Sequence, residues 1–123
     1  MSRIAIVDDS RLVRAFAAGA LRAKGHEALE VAPTSPADVL TQLREASVDL
    51  LVVDLLMPEC PGPDLIRAIR GDEALRDLPI LIVSAHHDEE AMKPVVALGI
   101  SGFLLKPVDA ATLAAKVNEA IGG

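Results

Sequence analysis

Tryptophan and tyrosine are absent from these 123 residues, and the aromatics amount to two phenylalanines, Phe16 and Phe103. With 51% of the chain apolar, the core must therefore be built from Ala, Val, Leu and Ile. Cysteine occurs once, at Cys60, which excludes an internal disulfide and fits a reducing compartment. No apolar run approaches the ~20 residues of a membrane span. The N-terminus also lacks the charged-then-apolar pattern of a secretion signal, so a soluble, cytoplasmic protein is expected. Positive charge is scarce. Twelve Lys and Arg against eighteen Asp and Glu leave a net charge of -6, which argues against nucleic acid as a partner, as the lack of apolar spans argues against a membrane. A glycine-rich phosphate loop is missing too, since the first apolar run is followed by "DDSRL".

What is present alternates between two signals. Short continuous apolar runs stand at Ile4 to Val7, Asp49 to Asp54, Pro79 to Ser84 and Gly102 to Leu105, with a weaker one at His26 to Ala32. Runs without in-and-out alternation suit strands covered on both faces, as in a parallel sheet. Helical patterns lie between them. Residues 11–24 place Val13, Phe16, Ala17 and Ala20 on one stripe before Gly25, and residues 36–46 follow a Ser35 cap with Pro36 in first position. Residues 63–71 carry Leu65, Ile66 and Ile69, and residues 110–121 carry Leu113, Val117 and Ile121. Strand then helix, five times over, predicts one α/β domain over residues 1–123: a doubly wound five-stranded parallel sheet with helices on both faces.

In such folds ligands sit beyond the carboxyl ends of the strands. Those ends carry Asp8 and Asp9, Asp54, Ser84, and Lys106 before Pro107. Two like charges about 4 Å apart repel by about 4 kcal/mol at an effective dielectric of about 20, so Asp8 and Asp9 ask for a cation. Carboxylate oxygens without His or thiolate suit a hard ion that keeps several waters, which is Mg²⁺ rather than an enclosed Ca²⁺. A carboxylate beside Mg²⁺, an ammonium and a hydroxyl is suited to attack phosphorus, giving an acyl phosphate on Asp54.

These residues together resemble a known family. The "DD" after the first strand, the D-x-x-M-P of Asp54 to Pro58, Ser84-Ala85, and "GFLLKP" from Gly102 to Pro107 look like the receiver domain of two-component response regulators. Intervals of 45 residues from Asp9 to Asp54, 30 to Ser84 and 22 to Lys106 match it, and Gly62 falls where its third loop has a glycine. The resemblance covers the whole chain. It implies a flavodoxin-like sheet of order 2-1-3-4-5, with Asp54 accepting a phosphoryl group from a sensor histidine kinase or histidine phosphotransfer protein. Mg²⁺ would be held by Asp9, Asp54 and the backbone carbonyl of Leu56, with Asp8 acting largely through water. Ser84 and Lys106 would bind phosphoryl oxygens, Phe103 would be the switch aromatic, and the Lys106-Pro107 bond is often cis. Output would run through the fourth helix, fifth strand and fifth helix. As the sequence ends at Gly123 without an output module, a monomeric or weakly dimeric stand-alone receiver acting by protein contact or phosphorelay is expected, not a turnover enzyme. The rival reading is a receiver-like interaction module that works without phosphorylation.

Single residues have plainer explanations. Asp8, Asp9 and Ser10 are also helix-capping types, though capping accounts for one acid and not two. Ser84 alone is an ordinary strand-end hydroxyl, Lys106 alone a surface lysine, and Phe103 fits switch and core filler equally. His86 and His87 are adjacent, without a neighbouring cysteine, and read as exposed rather than metal-bound. Cys60 reads as inert. Departures from the family pattern bear on rate. Leu56 and His86 stand two residues after Asp54 and Ser84, where the family governs water access; an apolar Leu56 predicts slow self-dephosphorylation. Ser84 replaces the commoner threonine. Pro94 predicts that the fourth helix begins near Lys93 or bends there, leaving residues 88–92 mobile.

Overall fold

The continuous apolar runs become the five parallel strands of one sheet in a computed structural model that describes residues 2–85 and 89–122. In chain order the elements are β1 (Arg3–Val7), α1 (Arg11–Arg22), β2 (Glu27–Val31), α2 (Pro36–Ala46), β3 (Leu50–Val53), α3 (Gly62–Arg70), β4 (Ile80–Ser84), α4 (Glu89–Ala97), β5 (Gly102–Leu105) and α5 (Ala110–Ile121). The strand order is β2-β1-β3-β4-β5, as the resemblance implied. The three inner strands are almost wholly buried, which is why they read as unbroken apolar runs, whereas β2 lies at an edge with only partial cover and gave the weaker signal.

Strand alternation divides the core in two. Ala5, Val7, Leu51, Val53, Ile80 and Ile82 face the side of α2, α3 and α4. Ile4, Ile6, Leu50, Val52, Leu81, Val83 and Leu104 face Ala17, Ala18 and Leu21 of α1 and Leu113 and Val117 of α5. Each fully buried aliphatic side chain contributes about 1.5–3 kcal/mol, and Leu65, Ile66 and Ile69 of α3 are completely enclosed.

Side-chain caps open α2 and α5, the first of them where the sequence indicated. Ser35 accepts from the Asp38 N–H at 3.1 Å, with Pro36 in the first turn of α2, and Asp109 accepts from the Thr112 N–H at 2.7 Å at the start of α5. Two expectations need correction. The inner stripe of α1 is Ala17, Ala18 and Leu21, while Phe16 is 51% exposed and Val13 half-buried: small alanines let the helix settle close to the sheet, and the larger residues are left at its margin. Secondly, α4 starts at Glu89, four residues before Lys93, and runs through Pro94. Pro94 is past the first turn, so it removes the hydrogen bond its nitrogen would have made and crowds the carbonyl four residues back, which makes this the weak point of α4.

The amino ends of β4 and β5 are held by Arg70 at the end of α3. Its guanidinium donates to four backbone carbonyls, those of Arg76 and Leu78 before β4 and of Leu98 and Gly99 after α4, at 2.8–3.0 Å. One planar fork thereby satisfies carbonyls from two loops that secondary structure leaves unpaired.

Candidate functional site

At the opposite rim, the ends of β1, β3 and β5 converge. In each strand the alternation that turns Ile6, Val52 and Leu104 toward α1 and α5 turns the residue two further on, Asp8, Asp54 and Lys106, to the same side. The Lys106 Nζ donates to Asp8 Oδ2 at 2.8 Å and to Asp54 Oδ2 at 3.1 Å. Both carboxylates are buried. Burial disfavours the ammonium's charge, but the hydrogen bonds and attraction from Asp8 and Asp54 outweigh it and hold the Lys106 pKa above the ordinary lysine value.

Asp8 is held from two further directions. Its Oδ1 accepts from the Ser10 N–H at 2.8 Å, and its backbone carbonyl accepts from Arg14 Nη1 at 2.6 Å. Ser10 is the cap of α1, accepting from the Val13 N–H, so neither aspartate caps the helix. Asp9 is exposed. Carboxylate oxygens of Asp8, Asp9 and Asp54 lie within 4.8 Å of one another. These three carboxylates with Lys106 carry two net negative charges on oxygen donors alone, a set that fits a hard divalent cation such as Mg²⁺.

The loop after β3 is shaped by two contacts. The Leu56 N–H donates to Asp54 Oδ1 at 3.3 Å, which keeps that carboxylate tied to its own loop. The Gly62 N–H donates to the Leu55 carbonyl at 3.0 Å, and a Cβ on Gly62 would lie 2.6 Å from Leu55 Cα and 2.8 Å from the Asp54 carbonyl. Only glycine permits α3 to begin this close to the backbone of Asp54. The Leu56 side chain is 53% exposed. Cys60 is completely enclosed, and burial, with Asp64 adding to it, raises its thiol pKa.

Ser84 ends β4, fully buried, and its carbonyl accepts from the Lys106 N–H at 2.8 Å, so the two are tied through the backbone. The Lys106-Pro107 peptide is cis. Phe103 lies on the other side of the sheet, half-buried against the core cluster that contains Met92 and Val95 of α4. His86, with His87, lies outside the described residues. Beneath the rim on the α1 and α5 side is a cavity of about 600 Å³, lined by Val13, Phe16, Val108 and Leu113 and, as its charged members, Asp8, Asp54 and Lys106. The structure thus brings Asp8, Asp9, Asp54 and Lys106 together, keeps Ser84 on the adjoining strand, and sets Phe103 apart.

Sequence reasoning passed over Arg14. The signal was there: a basic residue one turn into α1, where the helix dipole favours negative groups, six residues after Asp8.

The sequence matches the response regulator receiver domain over residues 4–118. Chemotaxis protein CheY of Pseudomonas aeruginosa is 34% identical over 121 residues, covering 95% of this chain and 94% of its own. Chemotaxis protein CheY-3 of Vibrio cholerae is 33% identical over 117 residues, covering 95% of this chain and 89% of its own. The solved structure of chemotaxis response regulator CheY4 of Vibrio cholerae is similar at a TM-score of 0.87 and 26% identity, covering 98% of each chain.

Proposed function

The chain belongs to the response regulator receiver family, and from that premise we propose that Asp54 is the phosphoacceptor of a two-component signalling protein. Proteins of this kind receive signals from histidine kinases and pass them to downstream targets; they are not turnover enzymes on small molecules. The observation that carries the reading is the pair of contacts from Lys106 to Asp8 and Asp54, which gathers two buried carboxylates from separate strands around one ammonium.

In the transfer, a carboxylate oxygen of Asp54 attacks the phosphorus of a phosphohistidine. The P–N bond breaks, its electron pair returns to the imidazole nitrogen, and an acyl phosphate forms on Asp54. Mg²⁺ held by Asp8, Asp9, Asp54 and the Leu56 carbonyl would supply charge neutralisation for the phosphoryl oxygens. Lys106 moves its hydrogen bond from the carboxylate to a phosphoryl oxygen, and the Ser84 hydroxyl donates to another. Asp8, buried and hydrogen-bonded to Lys106, would act on the metal largely through water, as its position in the family implies.

Phosphorylation adds negative charge at the rim, and the response reaches the surface of α4, β5 and α5. Support for that route is the packing of Phe103, on β5, against the cluster containing Met92 and Val95 of α4. Full conversion between two arrangements needs about 5.5 kcal/mol of differential interaction, within reach of a new charge-assisted pair plus a hydrogen bond.

The test is incubation with acetyl phosphate and Mg²⁺ followed by intact mass. Wild type is expected to gain one phosphoryl group and Asp54→Asn none. Equal labelling of the variant would move the acceptor elsewhere, and an unlabelled wild type would favour an interaction module that works without phosphorylation.

A further inference from the structure

We propose that Arg14 is a positioning residue for the divalent-cation site, acting through the Asp8 carbonyl to place the Asp9 carboxylate. The inference rests on the reading of Asp8, Asp9 and Asp54 as the cation ligands.

Three hydrogen bonds converge on Asp8, and each fixes a different part of it. The Ser10 N–H and the Lys106 ammonium hold the two carboxylate oxygens, while Arg14 Nη1 holds the backbone carbonyl at 2.6 Å. That carbonyl belongs to the peptide joining Asp8 to Asp9. Because the peptide is planar, the direction of its C=O sets the direction of the Asp9 N–H and the path of the chain into Asp9. Asp9 itself is exposed, and among the described residues its carboxylate takes part in no hydrogen bond or ion pair. Of the three acidic side chains it is the one whose placement depends on backbone alone, and Arg14 grips the backbone beside it.

The position of Arg14 is not one that helix stability selects. α1 has no acidic residue in its first turn, and Arg11 and Arg14 put cations where the dipole disfavours them. Arg14 is anchored by its own N–H to the Ser10 carbonyl at 3.0 Å, so the guanidinium reaches back over a fixed turn to the strand end. A charged donor to a neutral carbonyl is among the stronger hydrogen bonds.

The simpler account of Arg14 is charge balance: a cation that offsets the aspartates while no metal is bound. The two accounts predict opposite signs. Removing a cation beside the site should tighten binding of Mg²⁺ if charge is all that matters, whereas releasing the Asp8–Asp9 peptide should weaken it.

Isothermal titration of the intact protein with MgCl₂, without any phosphoryl donor and at fixed ionic strength, separates them. Arg14→Met removes the donor and the charge while keeping an unbranched side chain; its Kd for Mg²⁺ is expected to rise about tenfold, the low end of what losing a group that orients a metal ligand costs. Arg14→Lys keeps the charge with a shorter, single-point donor and is expected to weaken binding by a smaller factor, while thermal unfolding without Mg²⁺ stays cooperative for both, with the midpoint of Arg14→Met lowered by the lost hydrogen bond. Equal or tighter binding by Arg14→Met, or wild-type binding by Arg14→Lys, overturns the proposal while leaving the site itself intact. A wild type that takes up no Mg²⁺ overturns the reading of the site and this proposal with it.

Discussion

Lys106 Nζ lies 3.1 Å from Asp54 Oδ2, joining residues 52 positions apart in the chain, and the same ammonium holds Asp8. The acceptor proposed here is thus already engaged as an ion pair in a nearly closed setting, and the lysine has two obligations that a phosphoryl group would compete for.

Removing that lysine leaves two buried carboxylates uncompensated. Breaking one partner out of a buried pair costs about 3–5 kcal/mol, and the lower end applies because the Lys106 side chain retains 19% exposure. Lys106→Met is therefore expected to lower unfolding stability by about 3 kcal/mol, with Mg²⁺ restoring part of the loss. Urea midpoints with and without Mg²⁺ measure both effects; a variant as stable as wild type in chelator would show that solvent screens the pair.

Alkaline pH should expose the same pair. The folded pKa of Lys106 is raised above its ordinary 10.5, so the stabilisation is fully present below that value and is lost as the pH climbs through the higher folded one. Stability is expected to be insensitive to this group at neutral pH and to fall in strongly alkaline buffer. Lys106→Met should lack that component of the decline, and equal alkaline slopes for the two proteins would count against the assignment.

Gly62→Ala tests the shape of the acceptor loop. With Leu55 Cα and the Asp54 carbonyl both under 3 Å from the added methyl, backbone must move. Labelling by acetyl phosphate is expected to slow at least tenfold, with a lowered thermal midpoint. Unchanged labelling would mean that the loop yields without disturbing Asp54.

Leu56 places an exposed aliphatic side chain beside Asp54, and that side chain offers no hydrogen bond to an attacking water. Purified phosphoprotein is expected to decay slowly, and Leu56→Gln to hasten decay several-fold, as followed by loss of radiolabel. Rapid loss from the wild type would contradict this.

Pro94 withholds one N–H from the middle of α4. Hydrogen exchange is expected to be faster through residues 89–96 than through α5, and Pro94→Ala to slow it while raising stability by up to about 3 kcal/mol. Strong protection of that stretch in the wild type would refute the weakness assigned to it.

The architecture was legible because parallel strands buried on both sides leave an unmistakable apolar run, and because Ser35-Pro36 caps its helix in the ordinary way. The rim was legible from strand-end carboxylates and their spacing. What escaped has two physical sources. The side of α1 that packs inward is decided by how closely alanine can approach the sheet, so a stripe chosen by hydrophobic size picked Phe16 over Ala18. Contacts from long side chains to backbone, Arg14 to Asp8 and Arg70 to four carbonyls, depend on how the main chain turns in space and leave no periodic trace. The start of α4 at Glu89 is hidden in the sequence because a proline inside a helical stretch reads as a boundary or a bend, and the helix here runs through it.

The Arg70 guanidinium gives the molecule a foot as well as a rim. Since it fastens Leu98 and Gly99, just past the last turn of α4, to the loop that enters β4, the lower end of that helix is moored. If Asp54 is phosphorylated as proposed, any motion of α4 has a fulcrum at this end, where Arg70 fixes the backbone just past its last turn.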